Sequence, residues 1–270
     1  MSVETVAHRR LLPRQRRALV RGLQYGLFII VVLVLAWVAD WKDITESFFR
    51  VDIAAGMFPA VWQAFFNTIA YTVLAFIFGM IVGVVMAVMR ISEVAVYRWF
   101  AGAYIELFRG LPALLVLFLV AFGLPQAFPG MDYPGGIYGQ VALGLGLTSS
   151  AYIAETVRAG IQAVPAGQIE AARSLGMSHM RTMTSIVLPQ AVRIVIPPLT
   201  NEFVMLTKDS SLVYVVGVTA TTMELSKFAR EELTSTANAT PLLLGGVLYL
   251  LITVPLSIVA RRMENKGTRL

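Results

Sequence analysis

From Val61 to Met89 the chain carries no Asp, Glu, Lys or Arg. A helix needs about 20 apolar residues to cross a hydrocarbon layer roughly 30 Å thick, and a run of this length without a charged face excludes an ordinary soluble domain. Further candidate spans lie at about 23–39, 104–123, 137–157, 193–217 and 241–260. The segments 137–157 and 193–217 are the more polar ones, the second interrupted by Pro197-Pro198, and are expected to face protein or water rather than lipid. The reading is an all-α integral membrane protein with about six transmembrane helices. Charged residues make up only 14% of the chain, against roughly 25% in soluble domains. With no cysteine, a disulfide framework and a thiolate metal site are both excluded. Two histidines, His8 and His179, make a catalytic zinc site improbable, and no metal is expected.

The run at 23–39 follows Arg9, Arg10, Arg14, Arg16, Arg17 and Arg21, as a signal peptide would. It is long for such a peptide, and Trp37 stands where a small residue is needed for cleavage, so an uncleaved first span is expected. With the N-terminus inside, sixteen basic residues fall on inside segments and Lys42, Arg50, Lys227 and Arg230 on outside ones. That bias puts both termini in the cytoplasm. The net charge of +6 therefore belongs to loops and gives no reason to expect nucleic acid as a partner. Outside, 40–60 is acidic, and 221–233 reads as a short amphipathic helix, resting on the membrane surface or serving as a docking platform for an external partner. Thr221 and Glu224 would form its capping box, with Leu225, Phe228 and Ala229 on one face. Trp37, Trp41, Trp62 and Trp99 lie near span ends, as an aromatic belt requires.

Ionisable residues inside spans are costly and mark candidate sites. Thr148, Tyr152 and Glu155 share a helical stripe, as do Asn201, Met205 and Lys208, with Glu202 and Asp209 on an adjacent one. These eight are the candidate substrate pathway; the alternative is that Glu202 or Asp209 neutralises Lys208, or a basic residue on a neighbouring span, as a structural pair. Asn67, Thr68, Glu106 and Arg109 are secondary candidates, the last two read as an interfacial i, i+3 pair. Gly79, Gly83 and Ala87 form a small-residue seam for close helix packing.

The inside segment 158–193 is too polar to span and too patterned to be a linker. Pro165 suits a helix start with Glu170 in about the first turn, Gly176 permits a sharp turn, and Ser178 can cap a second short helix ending at Leu188-Pro189. Glu170-Ala171-Ala172, Gly176, Ile186 and Leu188-Pro189 match the pattern E-A-A-x3-G-x9-I-x-L-P. On that pattern the chain resembles the membrane subunits of bacterial ABC importers. IELFRGLP at 105–112, AYIAETVRAGI at 151–161, LPQAVR at 188–193 and NEFVMLTKDSSL at 201–212 resemble the polar amino-acid uptake group.

The resemblance implies a five-helix permease core plus an N-terminal span. It divides the chain into a basic segment 1–22, a first span and acidic loop 23–60, a permease domain 61–262 and a tail 263–270. It further implies that the loop at about 165–189 is a cytoplasmic coupling helix–turn–helix. Glu170, Ala171, Ala172, Gly176, Leu188 and Pro189 would engage a separate ATPase there. The implied assembly has two ABC ATPase subunits, a second permease subunit and an extracytoplasmic substrate-binding protein in the bacterial inner membrane. Its cargo would be a small polar amino acid, moved by alternating access. The chain holds no Gly-Lys pair and so no Walker loop; it is not itself an enzyme, carries no cofactor or catalytic residue, and ATP and Mg belong to the partner. The rival is a stand-alone secondary transporter or channel, expected to show broken helices in both halves.

Overall fold

A computed structural model describes the backbone over residues 13–267, and side chains at 17 and over 19–263. His8, Arg9, Arg10 and the end of the tail lie outside the described residues. Every regular element described is helical. Two compact units divide at Arg50.

The first unit holds α1 (Pro13–Val38) and α2 (Trp41–Phe48). Leu19–Val38 is long and apolar enough to cross a membrane, and its side chains stand exposed. Asp40 starts α2, accepting from the backbone N–H groups of Lys42 and Asp43 at 3.1 and 3.2 Å.

The second unit begins with α3 (Val51–Gly56) and the long α4 (Ala60–Ile91). Val61, Ala64, Thr68, Tyr71, Thr72, Ala75, Gly79, Gly83 and Ala87 recur every three or four residues on its buried face, while Phe66, Ile77, Ile81, Val85 and Val88 are exposed on the other. Thr68 and Thr72 hide their hydroxyls by donating to the carbonyls four residues back, at 2.9 and 2.8 Å. The buried face packs on α8 (Ile137–Gln162), whose own inward residues include Gly146, Ser149, Ser150 and Ile153. A Cβ at Gly79 would stand 2.2 Å from Ser149 Oγ, and one at Gly83 would stand 2.8 Å from the Ser150 carbonyl oxygen. The small-residue seam is thus a packing device within the subunit.

The expected span 104–123 is broken. α5 (Ala95–Gly110) ends at Leu111-Pro112, and the chain turns through 104° into α6 (Ala113–Phe118), a π turn (Leu119–Gly123) and α7 (Leu124–Ala127). Pro112 cannot donate to the helix before it and forces its predecessor out of the helical region, so Leu111 is extended, at φ −92° and ψ 139°.

After α8, α9 (Ala166–Ser174) starts behind Pro165, as expected. Glu170 lies one turn further in than the sequence suggested. α9 ends in a Schellman motif: Gly176 has φ +80°, its N–H donates to the Arg173 carbonyl, and the Met177 N–H donates to the Ala172 carbonyl. Ser178 caps α10 (His179–Thr182), accepting from the Arg181 N–H at 3.3 Å. The second short helix does not end at Leu188-Pro189. It passes through a π turn (Met183–Val187) into α11 (Leu188–Asp209) and a 3-10 turn (Ser210–Val215). The π turn sends the Leu188 N–H to the Met183 carbonyl, five residues back, so the wider turn falls where the Pro189 ring needs room. Nor do Pro197 and Pro198 interrupt α11; both sit inside it.

The helix expected at 221–233 is α12 (Leu225–Thr236), one turn later than predicted, because its cap is Glu224 itself rather than Thr221. Its apolar face does not rest on lipid: Leu225, Phe228 and Ala229 are buried, the first two packed with Val61, Ala64 and Leu248. α13 (Thr240–Gly267) closes the chain. By length and apolarity, Leu19–Val38, Ala60–Ile91, His179–Val215 and Thr240–Met263 can cross a membrane, and the bent pair α5 to α7 adds a fifth if counted as one. The 26-residue α8 is long enough, but it is rich in Gly, Ser and Thr and almost wholly packed inside.

Candidate functional site: a charged cavity at a broken helix

A cavity of about 330 Å³ lies where the α5–α6 break meets α8 and α11. This is within the size range of small-ligand sites, roughly 300–1,000 Å³. Irregular backbone is tolerated at membrane depth only where protein or a cavity covers it, and here Gly110, Leu111, Pro112 and Ala113 are themselves part of the lining. α8 contributes Leu145, Thr148, Ser149 and Tyr152; α11 contributes Glu202, Met205, Leu206 and Asp209. Arg109 enters from α5, its guanidinium carbon 5.7 Å from the centre of the Tyr152 ring, a cation–π distance. The Thr148 Oγ1 is buried without a hydrogen-bond partner among the described residues, which is costly unless something else supplies one.

Of the eight pathway candidates, the fold brings Thr148, Tyr152, Glu202, Met205 and Asp209 together. Glu155, Asn201 and Lys208 are not in the lining. Glu155 is engaged by Arg158, whose Nη2 lies 2.6 Å from Oε2 and whose Nε donates to both carboxylate oxygens. Lys208 is exposed and forms no ion pair with Glu202 or Asp209. Arg109 does not pair with Glu106: it faces the cavity, whereas Glu106 lines a separate groove with Arg90 and Arg98. Ser149 and the Gly110–Pro112 break were missed; a Gly and a Pro two apart inside an apolar run was the available signal.

Asn67 and Thr68 spend their hydrogen bonds elsewhere. Asn67 Nδ2 donates to the carbonyls of Thr221 and Met223 at 3.0 and 2.9 Å, and its Oδ1 accepts from the Tyr138 hydroxyl at 2.7 Å. The Thr68 hydroxyl accepts from the Leu225 N–H at 3.1 Å, and the Tyr71 hydroxyl donates to the Thr222 carbonyl at 2.7 Å. One stripe of α4 therefore holds the segment 221–225 by its backbone. Glu224, fully buried, accepts from the N–H groups of Ser226 and Lys227 and from the Tyr249 hydroxyl. Burial pushes its carboxyl above the usual carboxylate range, against the pull of those donors.

At the opposite sequence landmark, Glu170 and Ala171 are exposed while Ala172 is buried. Val164, Val187 and Ala191 form a small core beneath, with Ile169 and Met183 packed on it, and Gln190 Nε2 donates to Gln168 Oε1 at 3.0 Å across the two arms. Leu188 and Pro189 are exposed on the returning helix. Leu175 and Met180, not singled out from sequence, protrude with 85% and 71% of their surface free.

A helical membrane protein with a cavity at a broken helix and a rigid polar loop outside it has the architecture of a transporter subunit. Residues 79–268 match the family described as binding-protein-dependent transport system inner membrane component, and the chain belongs to that family. It is 38% identical over 220 residues, 80% of this chain and 97% of the relative, to the probable glutamine ABC transporter permease protein GlnM of Bacillus subtilis (strain 168). It is 32% identical over 209 residues, 77% of this chain and 92% of the relative, to the arginine transport system permease protein ArtQ of the same organism. Among solved structures it resembles an amino acid ABC transporter crystallised with histidines, with TM-score 0.70 and 34% identity, over 80% of this chain and 97% of that one. The MetNI methionine ABC transporter shares the fold, with TM-score 0.59 and 22% identity, over 77% of this chain and 94% of that one. The chain is a membrane-embedded permease of the ABC importer class.

Proposed function

We propose that this permease conducts a cationic amino acid into the bacterial cytoplasm. The observation that carries the reading is the charge left in the cavity. Arg109 brings one cationic group; Glu202 and Asp209 bring two carboxyl groups with no ion-pair partner among the described residues. Glu155 and Lys208, which made the sequence ambiguous, are not lining residues: Glu155 is held by Arg158, and Lys208 adjoins Asp209 from outside the cavity. A ligand with one carboxylate and two cationic groups complements such a lining. Its carboxylate meets Arg109, its two cations meet Glu202 and Asp209, and the Thr148 hydroxyl gains the partner it lacks.

The crossings in this reading are α1, α4, the bent pair α5 to α7, α8, the run α10–α11 and α13, with both termini in the cytoplasm. One ATPase subunit sits on the elements 165–189 of each of two permease subunits, with Glu170, Leu175 and Met180 at the contact, and the ATPase subunits hold ATP and Mg. A second permease subunit completes the pathway, and an external binding protein delivers cargo to the outer segment 221–225. Nucleotide-driven movement of the loop turns the cavity from one side to the other.

The test is reconstitution with the partner subunits and a panel of arginine, lysine, glutamine and glutamate. Arginine or lysine uptake is expected to exceed the others. Glu202→Gln and Asp209→Asn should each raise KM for the cationic substrate by about tenfold to a hundredfold, since an unpaired charged contact costs about 2 kcal/mol or more. Preference for glutamine or glutamate, with KM unmoved in both variants, would refute the cationic assignment.

A further inference from the structure

A second cavity, of about 540 Å³, lies between the end of α4 and the start of α5, lined by Arg90, Arg98, Trp99, Gly102, Ala103 and Glu106. It shares no residue with the charged cavity described above. Its position along α4 is informative. Arg90 is the first charged residue after the apolar run that starts at Ala60, so its guanidinium stands at the edge of the hydrocarbon layer. Trp99 is 78% exposed beside it, and Val96 and Phe100 on the same helix are also exposed. An aromatic and apolar rim around two arginines, at the end of a span, is the chemistry of the headgroup region.

The two guanidinium groups are held in place. Arg98 Nη1 donates to the carbonyls of Ser92 and Glu93, at 3.1 and 2.6 Å, and Arg90 Nη1 donates to the Arg98 carbonyl at 3.3 Å. Each is fixed through one nitrogen and keeps further N–H groups for a ligand. The Arg90 guanidinium lies against Gly102, where a Cβ would stand 3.3 Å from its Nη1. Any side chain there would crowd it.

The lining carries two positive charges and one negative charge. A single phosphodiester balances the remaining positive charge and suits two guanidinium forks. Glu106 would repel that ligand unless the headgroup also brings a hydrogen-bond donor. We infer that this groove is a binding site for a monoanionic phospholipid whose headgroup carries hydroxyls, with phosphate on Arg90 and Arg98 and a hydroxyl donated to Glu106. Phosphatidylglycerol has this chemistry. Phosphatidylcholine, neutral overall and without a donor in its headgroup, does not.

Trp99 supplies the readout. The full-length permease with Trp37, Trp41 and Trp62 changed to Phe is placed in nanodiscs, and Trp99 emission is measured as chain-brominated phosphatidylglycerol or chain-brominated phosphatidylcholine is added at equal mole fraction. Phosphatidylglycerol should quench with an apparent affinity about fivefold tighter for each guanidinium engaged. Arg90→Gln should remove about fivefold of that preference and leave quenching by phosphatidylcholine unchanged. Gly102→Val, which displaces the Arg90 guanidinium without changing any charge, should do the same, and its unchanged phosphatidylcholine quenching controls for folding. Equal quenching by the two lipids in the parent protein would overturn the inference. So would a preference surviving in both variants, or displacement of phosphatidylglycerol by millimolar inorganic phosphate, which would mark a site for free anions. Loss of quenching by both lipids on assembly with the ATPase would overturn it in favour of a protein segment.

Discussion

Replacing Gly83 by alanine probes the seam between α4 and α8 at its least forgiving point. The added Cβ would stand 2.8 Å from both the Ser150 carbonyl oxygen and Ile153 Cγ2, and 2.9 Å from Ile153 Cβ. Unstrained carbon contacts lie at about 3.5–4.0 Å. The obstructing atoms are α8 backbone and the Cβ of a fully buried β-branched residue, neither of which can rotate away. The helices must therefore separate by several tenths of an ångström, loosening the packing at Gly79 and Ala87 as well. Overpacking of this kind costs about 1–3 kcal/mol. Gly79→Ala is the internal control. Its nearest obstruction, at 2.2 Å, is the Ser149 hydroxyl, which can turn aside, and the Gly146 carbonyl oxygen is 3.3 Å away. Its cost should stay below about 1 kcal/mol. For a chain of this size each kcal/mol moves Tm by about 2–4 °C. Gly83→Ala should then lower Tm by roughly 2–12 °C and Gly79→Ala by less than about 4 °C, the shift for Gly83→Ala being the larger. Thermal unfolding of the two purified variants, at one scan rate in one detergent, gives the comparison. Equal shifts, or a larger one for Gly79→Ala, would refute the claim that immovable backbone, rather than crowding in general, sets the seam.

At Gly176 the obstacle is conformational, since φ is +80° and nothing lies within 4 Å of an added Cβ. Gly176→Ala should cost about 1–2 kcal/mol and reduce substrate-stimulated ATPase of the complex, while Gly176→Asn, better suited to that backbone, should retain more. Asn67→Asp keeps the shape but loses the donors to the Thr221 and Met223 carbonyls. Amide exchange over 221–228 should quicken by the equivalent of about 1–3 kcal/mol. The raised carboxyl of Glu224 means that the folded state holds its proton more tightly than the unfolded chain does. Its contribution to stability is full below the ordinary carboxylate value of about 4.3 and is lost as pH rises through the raised folded value. Wild-type melting should fall across that window and Glu224→Gln should flatten the slope; a slope that persists in the variant would exclude Glu224 as its source.

The sequence was most legible where hydropathy and spacing act alone. The uncharged run 61–89 became α4, and the E-A-A and Gly176 spacing became a helix ended by a Schellman motif. Prolines were misread in both directions. Pro197-Pro198 looked like an interruption, yet packing carries α11 through them; Pro112 looked like part of a span, yet it ends α5. A proline's effect depends on whether the surrounding turn can widen or bend, which local sequence does not record. The candidate cavity was half legible. Helical stripes placed Thr148 with Tyr152 and Glu202 with Asp209, but periodicity could not tell that Arg158 occupies Glu155 or that Lys208 faces outward. Asn67 looked like a pathway residue for the same reason: polarity inside a span reports a need for partners, not which partners meet it.

α4 has 32 residues, so at 1.5 Å rise per residue it is about 48 Å long. It grips the segment 221–225 through Asn67, Thr68 and Tyr71 near one end and is locked to α8 through Gly79 and Gly83 further along. A push on the segment 221–225 therefore has no joint to cross before it reaches α8, the helix that walls the charged cavity and leads into α9. In the proposed importer, arrival of cargo on one side and readiness of the ATPase on the other would then be two readings of the position of one rod.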